Sequence, residues 1–293
     1  MSIISTINEI TDNETTSLRT IEEINSLIRL NNTTINIIHI NIRSILNHIP
    51  ELECLHNAFN NNIHIIITSE SWLGPNFSHN YLPFKGFQII STNNNIRKSD
   101  GVLIFIKNDI KQINTKYTIP DSNCILTIIK NNSANFGILA IYRSPSGNII
   151  KFIDELNIVI SNIIKSYKNI PIILIGDINI NILDTTNSTT IYLDLLTAYG
   201  FTQYINRPTR PKSNTCIDHI FINDYNKNYF LQTAVIDSLI TDHYPLFLQL
   251  NNRSISKKET KSNKIYKYVD YNKLSLIINE IDWNELKKIK CTE

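Results

Sequence analysis

A carboxylate and an amide stand two residues apart where an apolar run ends. The run is ILIG at residues 173–176, and Asp177 and Asn179 follow it. In an extended chain the side chains at i and i+2 point to the same face. We therefore expect this pair to lie side by side at the end of a buried strand, which raises the question of which ligand needs both groups.

Polar side chains recur at the ends of other apolar runs. They are Asn41, Glu70, Tyr142, Arg143, Asp218, Asp242 and His243. Taken singly, an aspartate at a strand end is usually a turn residue, and a histidine before Tyr-Pro is more often a loop or core residue than a catalyst. Taken together they indicate a site, because carboxylates grouped at one sheet edge repel each other and are costly to bury. A divalent cation resolves that conflict.

The ligand types in this set favour a hard cation. The oxygen donors are Glu70, Asp242, Asn41, Asp177 and Asn179, and the sequence has no cysteine cluster beside them. Oxygen ligands select Mg²⁺, with Mn²⁺ or Ca²⁺ as alternatives, over Zn²⁺. A carboxylate-bound Mg²⁺ with an imidazole and an arginine nearby suits the attack of water on a phosphoester.

The apolar runs have the length of strands. They cover residues 35–42, 63–69, 102–107, 124–130, 136–142, 171–180, 215–222, 230–236 and 245–250. Several are continuous, which is typical of strands buried on both faces. Helical patterns span residues 50–59, 151–168 and 188–200, with Ser188 as the expected N-cap of the last and Gly200 just past its end. The pattern predicts a layered α/β fold in which two packed mixed β-sheets are flanked by helices.

Composition limits the classes of protein. The 293 residues carry a net charge of +2, which neither identifies nor excludes a nucleic-acid-binding protein. The four cysteines, Cys54, Cys124, Cys216 and Cys291, are far apart and are expected to be free thiols. We find neither a secretion signal nor an apolar stretch of membrane-spanning length. We therefore expect a nuclear or cytoplasmic protein that is not secreted and has no membrane partner.

Four segments differ in pattern. Residues 1–32 form an N-terminal helical extension with an apolar face at Ile21, Ile24, Leu27 and Ile28, and residues 33–250 hold the strands. Residues 251–268 are lysine-rich and predict a basic linker. Residues 269–293 predict a C-terminal amphipathic helix that carries Trp283.

The motifs, in their order, resemble the endonuclease/exonuclease/phosphatase superfamily. The finer similarity is to the apurinic-endonuclease-like domain of LINE-type non-LTR retrotransposons. It is carried by NIRSI at 41–45, SESWL at 69–73, DGVLIFIK at 100–107, IYRSP at 141–145, GDIN at 176–179, NRPTR at 206–210, CIDHIF at 216–221 and TDH at 241–243. The resemblance covers roughly residues 35–250. It implies a four-layer α/β sandwich, a monomer, and Mg²⁺-dependent nicking of DNA that leaves a 3′-hydroxyl and a 5′-phosphate.

The resemblance also implies a role for each metal-binding and catalytic residue. Glu70 would be the main metal ligand, with Asn41 and Asp242 beside it. Asp177 would orient or deprotonate the attacking water or protonate the leaving oxygen, and Asn179 would hold Asp177 and a phosphate oxygen. The remaining catalytic residues are His243, which would bind the phosphate or act as general base, Asp218, which would fix its tautomer, and Tyr142, which would contact the scissile phosphate. His219 is the rival imidazole, but next to Asp218 on a strand it should face the opposite way.

DNA is the expected partner, through its phosphate backbone. The predicted contacts are Arg97, Lys98, Arg143, Arg207, Arg210, Lys212 and Thr241, all in or near loops at strand ends. Ordinary solvated charge is the alternative interpretation for each of the basic residues.

Some positions depart from the family pattern. Thr241 stands where serine is usual, Ile178 where phenylalanine is usual and Ser144 where proline is usual, and only Gly101 remains of a glycine run. Two other functions stay open. One is a phosphoesterase of the same fold that acts on small phosphoesters, and the other is a catalytically inert fragment of a mobile element, with residues 269–293 as the start of a truncated reverse-transcriptase region.

Overall fold

The computed structural model describes residues 16–28, 34–74, 77–78, 81–92, 97–131, 134–224 and 229–252. Its strands are β1 (Leu18–Arg19), β2 (Thr34–Asn41), β3 (Ile65–Ser69), β4 (Phe87–Ser91), β5 (Val102–Lys107), β6 (Lys111–Ile119), β7 (Ser122–Asn131), β8 (Ala134–Arg143), β9 (Ile172–Asp177), β10 (Thr202–Gln203), β11 (Asp218–Asn223), β12 (Tyr229–Ile236) and β13 (Leu246–Asn252). The α-helices are α1 (Ile21–Leu27), α2 (Ile49–Ala58), α3 (Ile149–Ser166) and α4 (Asn187–Ala198). Short 3-10 helices lie at Ile45–Asn47 and Pro211–Ser213.

The strands form two mixed sheets, as the sequence predicts. In the described residues one sheet has seven strands in the order β1-β12-β13-β2-β3-β5-β4, and the other has six in the order β10-β11-β9-β8-β7-β6. Each sheet contains a central parallel pair, β2 with β3 and β8 with β9. The strands beside these pairs run antiparallel.

Alternation along the strands divides the core into layers. On β2, Ile35 and Ile37 belong to a large apolar cluster that includes residues of both sheets, whereas Ile38 and Ile40 belong to a second, outer cluster with residues of α1 and α2. The apolar stripe of α3 joins the large cluster, and α4 packs beside α3. The result is the predicted α/β sandwich, with helices outside each sheet.

The parallel pairs decide where the polar strand ends lie. Carboxyl ends of parallel neighbours emerge at the same edge of a sheet, so β2 and β3 deliver residues 41 and 70 to one place, and β8 and β9 deliver residues 142 and 177 to another. β9 contacts β2 and β3 across the sandwich. The two sets of strand ends therefore meet.

The described N-terminal residues, 16–28, pack on the sandwich. β1 pairs in parallel with β12, so it extends the seven-stranded sheet. The backbone N–H of Thr16 donates to Oδ1 of Asn206 at 2.7 Å, and Ile24 of α1 is buried in the outer cluster. α1 begins with a capping box of Thr20 and Glu23. The rest of segment 1–32, the predicted linker beyond Asn252 and the predicted helix at 269–293 lie outside the described residues.

Two local features differ from the sequence prediction. The N-cap of α4 lies two residues earlier than expected: it is Thr186, whose hydroxyl accepts from the N–H of Thr189, rather than Ser188. Cys54, Cys124 and Cys216 are free thiols, as expected, and Cys291 lies outside the described residues. Within the described ranges, no helix has both the length and the apolar character needed to cross a membrane.

Candidate active site at the converging strand ends

Asn41 joins two carboxylates that come from different sheets. It is the last residue of β2, and its Nδ2 donates to Oε1 of Glu70 at 2.9 Å and to Oδ2 of Asp177 at 2.7 Å. Glu70 follows β3, and Asp177 ends β9. The structure thus brings together three of the oxygen-bearing residues that the sequence singles out.

The carboxyl group of Asp177 has a pKa near neutral pH. Burial raises its pKa to about 7, and the neighbouring carboxylate of Asp218 adds to the rise. His243 and the hydrogen bond from Asn41 act in the opposite direction. A group with this pKa can take up or release a proton at physiological pH.

Asp218 and His243 form a buried hydrogen-bonded pair. Asp218 opens β11 directly opposite Asp177 in the sheet register, and its Oδ2 lies 2.8 Å from Nδ1 of His243. The hydroxyl of Thr209 donates to the same oxygen at 2.7 Å. The structure therefore shows the contact that the sequence comparison implies, with Nδ1 of His243 directed at the carboxylate.

The pair carries opposite charges. Burial alone would lower the pKa of His243, but the carboxylate of Asp218 outweighs it and raises that pKa to about 9. Burial likewise opposes ionisation of Asp218, yet the imidazolium of His243 holds the pKa of Asp218 below its usual value. At neutral pH His243 is therefore an imidazolium and Asp218 a carboxylate.

His219 faces away from the site, as predicted from its position beside Asp218. Its Nδ1 lies 3.1 Å from the hydroxyl of Tyr192, and its Nε2 lies 3.1 Å from the carbonyl of Ile180. Burial lowers the pKa of His219 to about 4, so this imidazole is neutral. It is a core histidine with satisfied nitrogens.

The strand that carries Asp177 is shorter than the sequence predicts. β9 ends at Asp177, and Asn179 adopts a left-handed backbone conformation with φ of 52°. Asn179 therefore meets Asp177 through its backbone N–H, which donates to Oδ1 at 3.1 Å, and not through strand alternation. Its side-chain Nδ2 donates to the carbonyl of Arg143 at 2.8 Å.

Arg143 is a structural residue, which corrects its prediction as a DNA contact. Its side chain is fully buried, and its guanidinium donates to the carbonyl oxygens of Ile178, Asn179 and Gly147 at 3.2, 3.3 and 2.6 Å. The guanidinium also lies 5.6 Å from the ring centroid of Phe152. These contacts hold the loop after β9 and leave the group no access to a phosphate.

Asp242 lies between two arginines. Its Oδ1 accepts from Nη1 of Arg43 at 2.8 Å, and its Oδ2 accepts from Nε of Arg210 at 2.8 Å. Burial would raise the pKa of Asp242, but the two guanidinium groups, led by Arg210, lower it to about 2. Both carboxylate oxygens thus have cationic partners, although the sequence comparison implies a metal ligand here. Arg43 is a site residue that sequence reasoning missed, even though it lies inside the NIRSI motif.

The other predicted contacts lie around this centre. Burial raises the pKa of Tyr142, so its phenol beside Asp177 in the sheet stays protonated. The hydroxyl of Thr241 donates to the carbonyl of Asn41 at 2.8 Å, which makes it a brace for β2. Four basic residues complete the set: Arg97 donates to Oγ of Ser144 at 3.1 Å, Arg207 to the carbonyl of Thr16 at 3.4 Å, and Lys98 and Lys212 are exposed.

Five residues in the loops of the site have a strained backbone conformation. Arg43, Ser44, Glu70, Trp72 and Asn179 are non-glycine residues with φ between 45° and 83°. Such conformations cost free energy and persist only where the surroundings enforce them. They place the loops after β2, β3 and β9 so that their polar groups converge.

The donor set suits a divalent cation. Glu70 and Asp177 offer carboxylate oxygens, and Asn41 offers its amide oxygen. The N–H group of Asn41, which carries a partial positive charge, lies between the two carboxylates and relieves their repulsion, as a cation would. Asp177, Asp218 and His243 also have ligand atoms within 4.8 Å of one another. In this second group, Oδ2 of Asp218 and Nδ1 of His243 form their own hydrogen bond.

A family model gives this arrangement a context. The model of the Endonuclease/Exonuclease/phosphatase family matches residues 38–243. That range starts within β2 and ends at His243, so it contains every group of the site described above.

Solved structures share the fold at low identity. The endonuclease domain of TRAS1, a telomere-specific non-LTR retrotransposon, has 11% identity and a TM-score of 0.56, covering 75% of this chain and 99% of that chain. TDP2 from D. rerio, complexed with single strand DNA product, has 15% identity and a TM-score of 0.58, covering 75% and 100%. A mannosyl-6-phosphatase from Bacteroides thetaiotaomicron has 16% identity and a TM-score of 0.55, covering 74% and 99%. These likenesses establish the fold, and the family match over more than half of the chain establishes its membership: the chain belongs to the endonuclease/exonuclease/phosphatase family of hydrolytic phosphoesterases.

Proposed function

We propose that the protein is a Mg²⁺-dependent DNA endonuclease of the non-LTR retrotransposon type. The observation that carries the proposal is the meeting of the Asn41–Glu70–Asp177 oxygen cluster with the Asp218–His243 pair. The NRPTR and IYRSP motifs favour the retrotransposon branch, and the TRAS1 endonuclease domain has the same fold. Cleavage would break the P–O3′ bond and leave a 3′-hydroxyl and a 5′-phosphate.

The residues divide the work of hydrolysis between them. Asp177 accepts a proton from the attacking water, for which a pKa of about 7 is well suited. His243, held through Nδ1 by Asp218, donates a hydrogen bond to a phosphate oxygen from the Nε2 side. The protonated phenol of Tyr142 is a second donor. A divalent cation held by Glu70 and Asn41, with Mn²⁺ as an alternative to Mg²⁺, would stabilise the negative charge that develops on the phosphate.

Arg43 and Arg210 are the strongest candidates for contacts to neighbouring DNA phosphates. Their side chains are 48% and 38% exposed, and the single carboxylate of Asp242 between them leaves one net positive charge. Asp242 therefore serves in this proposal to orient two guanidinium forks at the rim of the site. Lys98, Arg97, Arg207 and Lys212 extend the basic surface. DNA affinity should fall with salt at a log–log slope of about 0.9 for each phosphate contacted.

A plasmid-nicking assay tests the proposal and its metal dependence. The full chain should convert supercoiled plasmid to open circles with Mg²⁺, and a chelator should abolish the activity while the circular-dichroism spectrum stays unchanged, because the aliphatic strands do not depend on an ion. Loss of the spectrum would instead reveal a structural metal. Glu70→Ala should lower the rate and shift the Mg²⁺ titration to higher concentration. An unchanged titration would remove Glu70 from the ligand set.

A phosphatase acting on small phosphoesters is the second candidate. It is favoured by the shared fold of the mannosyl-6-phosphatase. Hydrolysis of p-nitrophenyl phosphate or a sugar phosphate without plasmid nicking would support it. Inactivity on all these substrates with Mg²⁺ and with Mn²⁺ would indicate an inert mobile-element fragment, and nicked ends with a 3′-phosphate would exclude the retrotransposon type.

A further inference from the structure

A buried histidine stands behind Asp218. His39 lies in β2, two residues before Asn41, and it is 0% exposed. Its Nδ1 lies 4.0 Å from Oδ1 of Asp218. Within the described part of the chain, neither of these two atoms has a hydrogen-bond partner. Buried polar atoms are rarely left unpaired, so two that face each other are natural partners.

The hydroxyl of Ser69 is a possible hydrogen-bond donor to the other ring nitrogen of His39. Its Oγ lies 3.0 Å from Nε2 of His39, and a hydroxyl can donate to an unprotonated imidazole nitrogen. If Ser69 donates, the proton of the neutral imidazole is on Nδ1 and points at Oδ1 of Asp218. The opposite tautomer would place a nitrogen lone pair against a carboxylate oxygen, which is unfavourable.

We propose that His39 is a positioning residue that donates from Nδ1 to Oδ1 of Asp218 and thereby holds the carboxylate against His243. Oδ2 of Asp218 already binds Thr209 and His243, so His39 restrains the only carboxylate oxygen that the described structure leaves open. With both oxygens held, the carboxylate cannot rotate away from the imidazolium. Closing the 4.0 Å separation by about 1 Å gives a full hydrogen bond.

The position of this chain of contacts couples it to the rest of the site. Ser69 directly precedes Glu70, and it is paired with Asn41 in the register of β2 and β3. A contact that runs Ser69–His39–Asp218–His243 therefore ties the strands carrying two proposed metal ligands to the residue that contacts the phosphate. The consequence of His39 for cleavage rests on the proposed function, whereas its consequence for the Asp218–His243 pair does not.

The tautomer can be measured on the unaltered protein. The full chain labelled with ¹⁵N at its histidines should show His39 protonated at Nδ1 and unprotonated at Nε2. The reverse tautomer would overturn the proposal without any variant having to fold. Ser69→Ala should lower the population of the Nδ1–H tautomer, because Nε2 then loses its donor.

Variants test the effect on the pair. His39→Leu should shift the downfield Nδ1–H proton resonance of His243 and lower the nicking kcat by about 10- to 100-fold with KM unchanged, the range typical of groups that orient an active residue through a second contact. His39→Asn keeps an N–H donor near the position of Nδ1 and should restore most of both. His64→Leu is the matched control, because His64 directly precedes β3, at the end opposite Ser69, and accepts the backbone N–H of Asn36.

The readouts separate the two proposals. If His39→Leu leaves the resonance of His243 and the rate unchanged, or if His64→Leu changes them equally, His39 has no positioning role. If neither the unaltered chain nor any variant nicks DNA, the proposed function fails, and the His243 resonance alone decides the role of His39.

Discussion

The Nδ1 of His243 has a carboxylate partner at 2.8 Å, so its imidazole has a fixed orientation. We expect His243→Ala to lower the nicking rate by about 10²–10⁴-fold, the usual range for a positioned acid–base group. Asp218→Ala should be severe alone but add little in the double variant, since residues that act as a unit are not additive. His219→Ala is the control and should cost far less, although it removes a hydrogen bond to Tyr192. Fully multiplicative losses in the double variant would contradict the pairing.

Polar residues were predictable where they interrupt apolar runs at strand ends, as Asn41, Glu70 and Asp177 do. Whether a charged side chain is buried or exposed was not predictable from the sequence. Arg143 ends a strand in the same way, yet its guanidinium turns inward to three carbonyl oxygens. His39 escaped notice because it lies inside the run IIHIN, where an imidazole reads as one more core residue. Pairing across 179 residues of sequence, as between His39 and Asp218, becomes visible only in the folded structure.

Gly176 allows β8 and β9 to approach each other closely just before Asp177. Its φ is 149°, and a Cβ at this position would stand 1.7 Å from the carbonyl oxygen of Ile141. Gly176→Ala should therefore destabilise the fold by about 1–3 kcal/mol from overpacking and by a further 1–3 kcal/mol, roughly, from backbone strain. Chemical denaturation measures the loss. Gly74→Ala, where a Cβ meets nothing within 4 Å, should be close to neutral. Equal stability of the two variants would show that β9 can move away from β8.

Elements with continuous apolar sequence were predictable, and elements at sheet margins were not. The predicted runs correspond to the central strands, with ends that differ by a few residues. β4 and β6 were not predicted, because each is the edge strand of its sheet and mixes polar with apolar residues, as in KQINTKYTI of β6. β1 and β10 have two residues each, too few for any periodicity. The end of β9 was misplaced because Ile178 and Ile180 extend the apolar pattern after the backbone has left the strand.

Over the whole molecule, buried histidines contribute strongly to the pH dependence of stability, and they are opposed in part by Asp177, whose raised pKa of about 7 favours the folded state at lower pH. Burial lowers the pKa values of His39, His64 and His219 to about 4, below the unfolded value of 6.5. The unfolded chain therefore binds protons first, and stability should fall as the pH drops from about 6.5 towards 4. His243 has the opposite sign, because its pKa of about 9 adds stability below pH 6.5 that is lost as the pH rises through 9. Urea unfolding between pH 4.5 and 9 should thus show a maximum between these limits.

His64→Gln isolates one part of this acid sensitivity. The Nδ1 of His64 accepts the backbone N–H of Asn36 at 3.0 Å, so protonation there would break the bond. The variant should lose less stability than the unaltered protein between pH 6.5 and 4.5. His48→Gln, at a partly exposed position in the loop before α2, is the control. Parallel pH curves for the unaltered protein and His64→Gln would contradict the assignment.

The short pairing of β1 with β12 has a consequence for solubility. The N–H groups of Val235 and Asp237 donate to the carbonyls of Ser17 and Arg19, so β1 caps a margin that could otherwise template intermolecular β-sheet growth. A shortened protein that begins where the family match begins, at residue 38, would lack β1 and also Ile24 of α1. We expect a chain that begins at Thr34 to aggregate, as light scattering would show, and a synthetic peptide of residues 16–28 added in trans to suppress it. If the shortened chain scatters light no more than the full chain, β12 does not need β1 to prevent intermolecular sheet growth.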